Sequence, residues 1–173
     1  SKMNLTNADL ERGAWMLNKA TRIALIGNGG NLAIAQHMAS DINRHMGKFC
    51  FAPDAVHLTA IAGDGDWKKA WLEYAAPHCD LFIVITCRAN SPQVKYVKEY
   101  APFMPVLVLA PERVEDDNIY TIVIDVDNYH EFEVNARWNI YRLMGLKGAV
   151  CYTKSTMPED PARRSWGGSE WGV

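Results

Sequence analysis

Three short apolar runs stand out along the chain: Ile23-Ala24-Leu25-Ile26, Leu81-Phe82-Ile83-Val84-Ile85 and Val106-Leu107-Val108-Leu109. Runs of this length with no polar interruption suit strands buried on both faces of a parallel sheet. Ile119 to Ile124 alternates less cleanly, but its β-branched content predicts a further strand, and Ala55-Val56-His57-Leu58-Thr59 predicts one more, second in chain order. Helical patterns fill the spaces between. Asn7 is a capping candidate for a short helix over 7–19 with Leu10, Trp15 and Leu17 as its apolar stripe. Asn31 to about Met46 reads as a helix, and Asp66 to Tyr74 places Trp67, Ala70, Trp71 and Tyr74 on one side of another. Ser91-Pro92 opens a helix to about Tyr100, and the last helix runs from about Tyr129 to Gly145. This alternation predicts an α/β fold: a three-layer, doubly wound, five-stranded parallel sheet with right-handed crossovers, which collects ligands at the carboxyl ends of its strands. One domain over 1–152 is expected. Beyond Tyr152 periodicity gives way to Pro158, Pro161, Gly167 and Gly168, so 153–173 reads as an extended tail whose Trp166 and Trp171 dock on the body or on a neighbouring subunit.

Composition narrows the partners. A length of 173 residues, 49% hydrophobic and 22% charged, is that of one soluble globular domain. The net charge of -2 gives no basic footprint for a nucleic-acid backbone. No run approaches the ~18 apolar residues of a membrane span, and no basic segment leads into an apolar one at the N-terminus, so neither a membrane nor secretion is expected. Cys50, Cys79, Cys87 and Cys151 form no C-x-x-C pair and read as free thiols of a cytoplasmic protein.

Four constellations carry candidate chemistry. Gly27-Asn28-Gly29-Gly30-Asn31 lies between a buried strand and a helix, where glycines permit positive φ and backbone N–H groups approach an anion at a positive helix end. Its spacing is not G-x-G-x-x-G, which disfavours a dinucleotide; a tight turn with no ligand is the plainer alternative. Thr86-Cys87-Arg88-Ala89-Asn90-Ser91-Pro92 ends another buried strand and offers hydroxyls and a guanidinium as an anion cradle. In the plainer reading Ser91 only caps a helix and Arg88 is a solvated charge. His37 and Asp41 stand one helical turn apart, as metal ligands, an acid–base pair or a surface polar pair. Asp127 to Glu133 opens the last helix, with His130 and Glu133 three apart and Asp127 as a capping residue.

Together these segments resemble the SIS (sugar isomerase) domain and, within it, the phosphoheptose isomerase family. The family pattern G-N-G-G-S-x-x-x-A-x-H-x-A-x-E-L is similar to Gly27 through Asn31 followed by Ala35, His37, Ala39, Asp41 and Ile42. S-T-S-G-N-S-x-x-V is similar to Thr86 through Val94, and D-x-x-Q-E to Asp127 through Glu131; the likeness runs from about Thr21 to Leu146. It implies a flavodoxin-like strand order, a homo-oligomer (dimer or tetramer) with sites near subunit interfaces, and isomerisation of sedoheptulose 7-phosphate through an enediol, often with zinc. It places the sugar phosphate on Asn28, Gly29, Gly30, Asn31, Thr86, Cys87, Arg88, Asn90, Ser91 and Asp127. It implies zinc or another divalent metal on His37, Asp41 and His130, and proton transfer by Asp41 with His130 or Glu133. Departures from the pattern are Asp41 for glutamate, Arg88 for serine, Ala89 for glycine, His130 for glutamine and Trp138 for a histidine. Trp138 motivates the alternative of a non-catalytic SIS module that binds a sugar phosphate or serves as a protein-interaction scaffold. An aminosugar-phosphate isomerase or a sugar-acid etherase is the third possibility.

Overall fold

The computed structural model describes residues 7–62 and 65–145, so the boundary at 152 and the tail with Trp166 and Trp171 lie outside the described residues. Five parallel strands form one sheet: β1 (Arg22–Ile26), β2 (Phe49–Phe51), β3 (Leu81–Ile85), β4 (Val106–Ala110) and β5 (Ile119–Val123), in the order β2-β1-β3-β4-β5. β3 and β4 are buried along their whole length, which is why they carry no polar position. Helices α1 (Asn7–Lys19), α2 (Gly30–Met46), α3 (Ala55–Ala62), α4 (Trp67–Ala75), α5 (Pro92–Val97) and α6 (Tyr129–Leu143) cover the two faces.

Strand alternation divides the core. Ile23, Leu25, Leu81, Ile83, Ile85, Leu107 and Leu109 face α1, α2 and α6. Ala24, Ile26, Phe82, Val84, Val106 and Val108 face α4 and α5, with Trp71 fully buried among them. Each fully buried aliphatic side chain contributes roughly 1.5–3 kcal/mol. Leu17 and Met16 anchor α1, whereas Trp15, expected in its stripe, is 49% exposed beneath the Arg12 guanidinium. Tyr74 is likewise outside the core, with Leu72 and Ala75 buried beside Trp71 instead.

The second predicted strand is a helix. Residues 55–59 begin α3, and β2 is the shorter Phe49–Phe51, paired with Arg22 to Ala24. Asp54 explains the difference: its carboxylate accepts the His57 N–H at 3.0 Å and its carbonyl accepts the Leu58 N–H at 3.0 Å, so a helix starts where the apolar run suggests a strand. The helix expected to reach Tyr100 ends at Val97, with turns continuing beyond it.

A carboxylate fixes the amino ends of the two central strands. Asp80 accepts the Thr21 N–H at 3.0 Å, the Thr21 hydroxyl at 2.7 Å and the Arg22 N–H at 3.0 Å. Burial pushes its carboxyl up, but these hydrogen bonds outweigh that and hold it below 3.8. Asp80 is exposed, so solvent screening reduces the worth of these bonds, and Asp80→Ala is expected to cost about 0.5–1.5 kcal/mol in chemical denaturation at neutral pH. Because the folded pKa is depressed, the contribution is complete above the ordinary carboxylate value and is lost as pH falls through the lower folded value.

Candidate functional site

Strand order reverses between β1 and β3, and the chain leaves β1 into α2 on one face and β3 into α5 on the other. A crevice opens at such a switch point. Here it has a volume of about 500 Å³ and is lined by Asn28, Gly30, Asn31, Lys68, Ile85, Thr86, Cys87, Arg88, Ser91, Pro92, Gln93, Tyr129 and Glu133.

The glycine loop is shaped by close approach. A β-carbon on Gly27 would lie 2.4 Å from the Asn31 backbone, so only glycine fits between β1 and α2. Gly29, with φ 58°, is the N-cap of α2 and offers no side chain to its first turn. Asn31 is 6% exposed; its amide donates to the Cys87 thiol at 3.3 Å, and its Oδ1 is buried without a partner. Ser91, 4% exposed, stands at the N-cap position of α5 yet makes no capping bond, and its Oγ is also buried without a partner. Ser91 is therefore not spent on the helix. The Thr86 hydroxyl is committed within the loop: it donates to the Arg88 carbonyl at 2.9 Å and accepts the Arg88 N–H at 3.2 Å, setting the loop's shape. Burial pushes the Cys87 thiol up, the Asn31 hydrogen bond opposes this, and the Glu133 charge adds to it.

Of the residues assigned to the sugar phosphate, Asn28, Gly30, Asn31, Thr86, Cys87, Arg88 and Ser91 meet in this crevice, while Gly29, Asn90 and Asp127 do not line it. Glu133 does, and His130 does not; His130 is exposed on the first turn of α6. The cap of α6 is Asn128 rather than Asp127: its Oδ1 accepts the Glu131 N–H at 3.0 Å, and Glu131 reaches back to the Asp127 N–H at 3.4 Å. Lys68, Gln93 and Tyr129 were not singled out in the sequence. Tyr129 shares a face with Glu133 at i,i+4, a spacing that sequence does display; Lys68 arrives from the other side of the sheet and leaves no local signal.

His37 and Asp41 form a pair outside the crevice. His37 Nε2 lies 3.3 Å from Asp41 Oδ2, which also accepts the Tyr141 hydroxyl at 2.6 Å, and Arg44 donates to Oδ1 at 3.2 Å. Arg137 Nε donates to the Tyr141 oxygen at 3.3 Å, and Trp138 packs on the Tyr141 ring at 5.6 Å. Asp41 is thus committed to joining α2 and α6. Burial would raise its carboxyl, but Tyr141, His37 and Arg44 together hold it below 3.8. Among the described residues, no three His, Cys, Asp or Glu side chains group to hold a metal ion, so one chain does not bring His37, Asp41 and His130 together as a metal set.

With this geometry in place, known proteins supply a name for the likeness. The chain is similar to phosphoheptose isomerases. It is 31% identical over 99 residues to the phosphoheptose isomerase of Mycobacterium tuberculosis, covering 51% of this chain and 50% of that protein. It is 32% identical over 103 residues to that of Desulfovibrio desulfuricans, covering 54% and 49%. The chain thus spans about half the length of the curated relatives it matches. No protein-family profile matches it. In fold it is similar to a phosphoheptose isomerase of Neisseria gonorrhoeae, with a TM-score of 0.70 at 21% identity over 82% of this chain and 85% of the other. The phosphoheptose isomerase of Francisella tularensis gives 0.69 at 19% identity over 82% and 85%. Both place the α/β sheet and its helices in this fold. Among the described residues no helix is long and apolar enough to cross a membrane.

Two substitutions test the local account. Gly27→Ala forces backbone against backbone and is expected to destabilise the fold clearly, whereas Gly30→Ala meets only the movable Glu133 carboxylate and is expected to be tolerated; thermal melts compare them. Asp41→Asn is expected to cost about 1–3 kcal/mol at neutral pH by denaturant unfolding. Its difference from the unsubstituted chain should shrink as pH falls through the depressed Asp41 value below 3.8, where both carry a neutral group.

Proposed function

We propose that the chain is a phosphosugar isomerase acting on sedoheptulose 7-phosphate or a similar ketose phosphate. One observation carries the reading: the switch-point crevice contains two buried polar atoms without partners, Ser91 Oγ and Asn31 Oδ1, together with a carboxylate, Glu133. Arg88 and Lys68 supply positive charge for the phosphate, and Ser91 Oγ donates to it. Glu133 takes the proton from the hydroxymethyl carbon next to the ketone, giving an enediol, and returns it to the former carbonyl carbon. The carbonyl oxygen gains a proton as the terminal hydroxyl loses one, leaving an aldose. The similarity to phosphoheptose isomerases supports this chemistry.

In metal-dependent isomerisation a divalent ion polarises the carbonyl. The donors of a single chain do not fit a three-ligand site, so no step here runs through a metal. Free Cys50, Cys79 and Cys87 suit a cytoplasmic setting, and a homo-oligomer remains part of the proposal.

A second reading, a phosphosugar-binding module without turnover, is favoured by Trp138, which packs on Tyr141 where the resemblance implies a histidine. Aldose formation from sedoheptulose 7-phosphate by the purified, zinc-replete chain decides between them. Turnover is expected, with Glu133→Gln lowering kcat about 10²–10⁴-fold and Ser91→Ala mainly raising KM. Tight binding with no turnover would replace the first reading with the second.

A further inference from the structure

The crevice carries opposite charges on opposing walls. Arg88, Ser91 and Lys68 come from the β3–α5 loop and α4, on one side of the sheet. Glu133 comes from α6, on the side of α2. Its carboxylate rests on the bare Cα of Gly30: a β-carbon built there would lie 1.9 Å from Oε1 and 3.0 Å from Oε2. Gly30 is the first residue of a 17-residue helix whose cap, Gly29, has no side chain, so the partial positive charge of that helix end faces a carboxylate of the protein itself. Between the walls, the Cys87 thiol is influenced by both Glu133 and Arg88. Ser91 Oγ on one wall and Asn31 Oδ1 on the other are buried without a hydrogen-bond partner in the protein.

Resting on the phosphosugar reading above, we propose that Glu133 determines specificity: the crevice takes sugars with a single phosphate and an uncharged or amino-bearing far end, and rejects those carrying a second anion. The phosphate belongs on the wall of Arg88, Lys68 and Ser91. Asn31 Oδ1 accepts a hydrogen bond from a sugar hydroxyl or amine at the glycine loop. A second phosphate or a carboxylate placed there would stand within a few ångströms of Glu133, and like charges at that separation weaken binding about 10–100-fold. The glycine loop thereby becomes the sugar end of the site rather than a second phosphate cradle. The same repulsion disfavours the sugar-acid chemistry left open by the sequence.

Isothermal titration of the unsubstituted chain with sedoheptulose 7-phosphate, its 1,7-bisphosphate and 6-phosphogluconate tests this. The monophosphate is expected to bind at least about tenfold more tightly than the other two. Glu133→Gln should reduce that preference to near unity, while Arg88→Ala should weaken all three ligands and leave the preference in place. Equal affinities in the unsubstituted chain overturn the proposal whether or not the variants fold, and so does a preference that persists in folded Glu133→Gln. If none of the three binds, the phosphosugar reading itself fails; monophosphate binding without discrimination sinks only the role given to Glu133.

Discussion

The pairing of β1 with β3 is the constraint on which the rest of the molecule depends. Both strands are central and almost wholly buried, so every backbone group must be satisfied within the sheet and every side chain on either face must be apolar. The order reverses at this pair, which sends α2 to one face and α5 to the other. Their leading loops diverge and leave the crevice between them. Asp80 fastens the amino ends of the same two strands, and the collision-free fit of Gly27 brings the carboxyl end of β1 close to α2.

A second contact, away from that crevice, joins the helices on one side of the sheet. α2 and α6 pack together, and the Tyr141 hydroxyl bond to Asp41 fixes how they meet. The same two helices carry Gly30 and Glu133, whose carboxylate lies against the Gly30 Cα. Asp41 thus serves the contact between α2 and α6. Its carboxylate is shared among Tyr141, His37 and Arg44.

Much of this was legible in the sequence, for identifiable reasons. β1, β3 and β4 were plain because strands buried on both faces need uninterrupted apolar runs, and the glycine loop was plain because close approach excludes side chains. The run at 55–59 misled because its composition suits either state and a capping carboxylate, Asp54, decided it; Phe49–Phe51 was too short to carry a period. His37 and Asp41 were visible as a pair, but their link to Tyr141, 100 residues from Asp41, was not. Lys68 was hidden for the same reason: nothing local distinguishes a helix lysine at a crevice from one in solvent.

The chain's departures from the family pattern fit one rearrangement. Trp138 meets the Tyr141 ring edge-on within α6, and Tyr141 binds Asp41 of α2, so two positions that the resemblance assigns to chemistry belong to one cluster around Tyr141. Glu133 lies one turn before Arg137, the residue that also bonds Tyr141, and faces the crevice. On the proposed reading, proton transfer rests on a carboxylate of α6 rather than on one of α2, where Tyr141 holds Asp41. A base on α6 approaches the substrate across the glycine loop, which places its charge where a second anion would otherwise bind. Catalysis and discrimination then rest on one side chain.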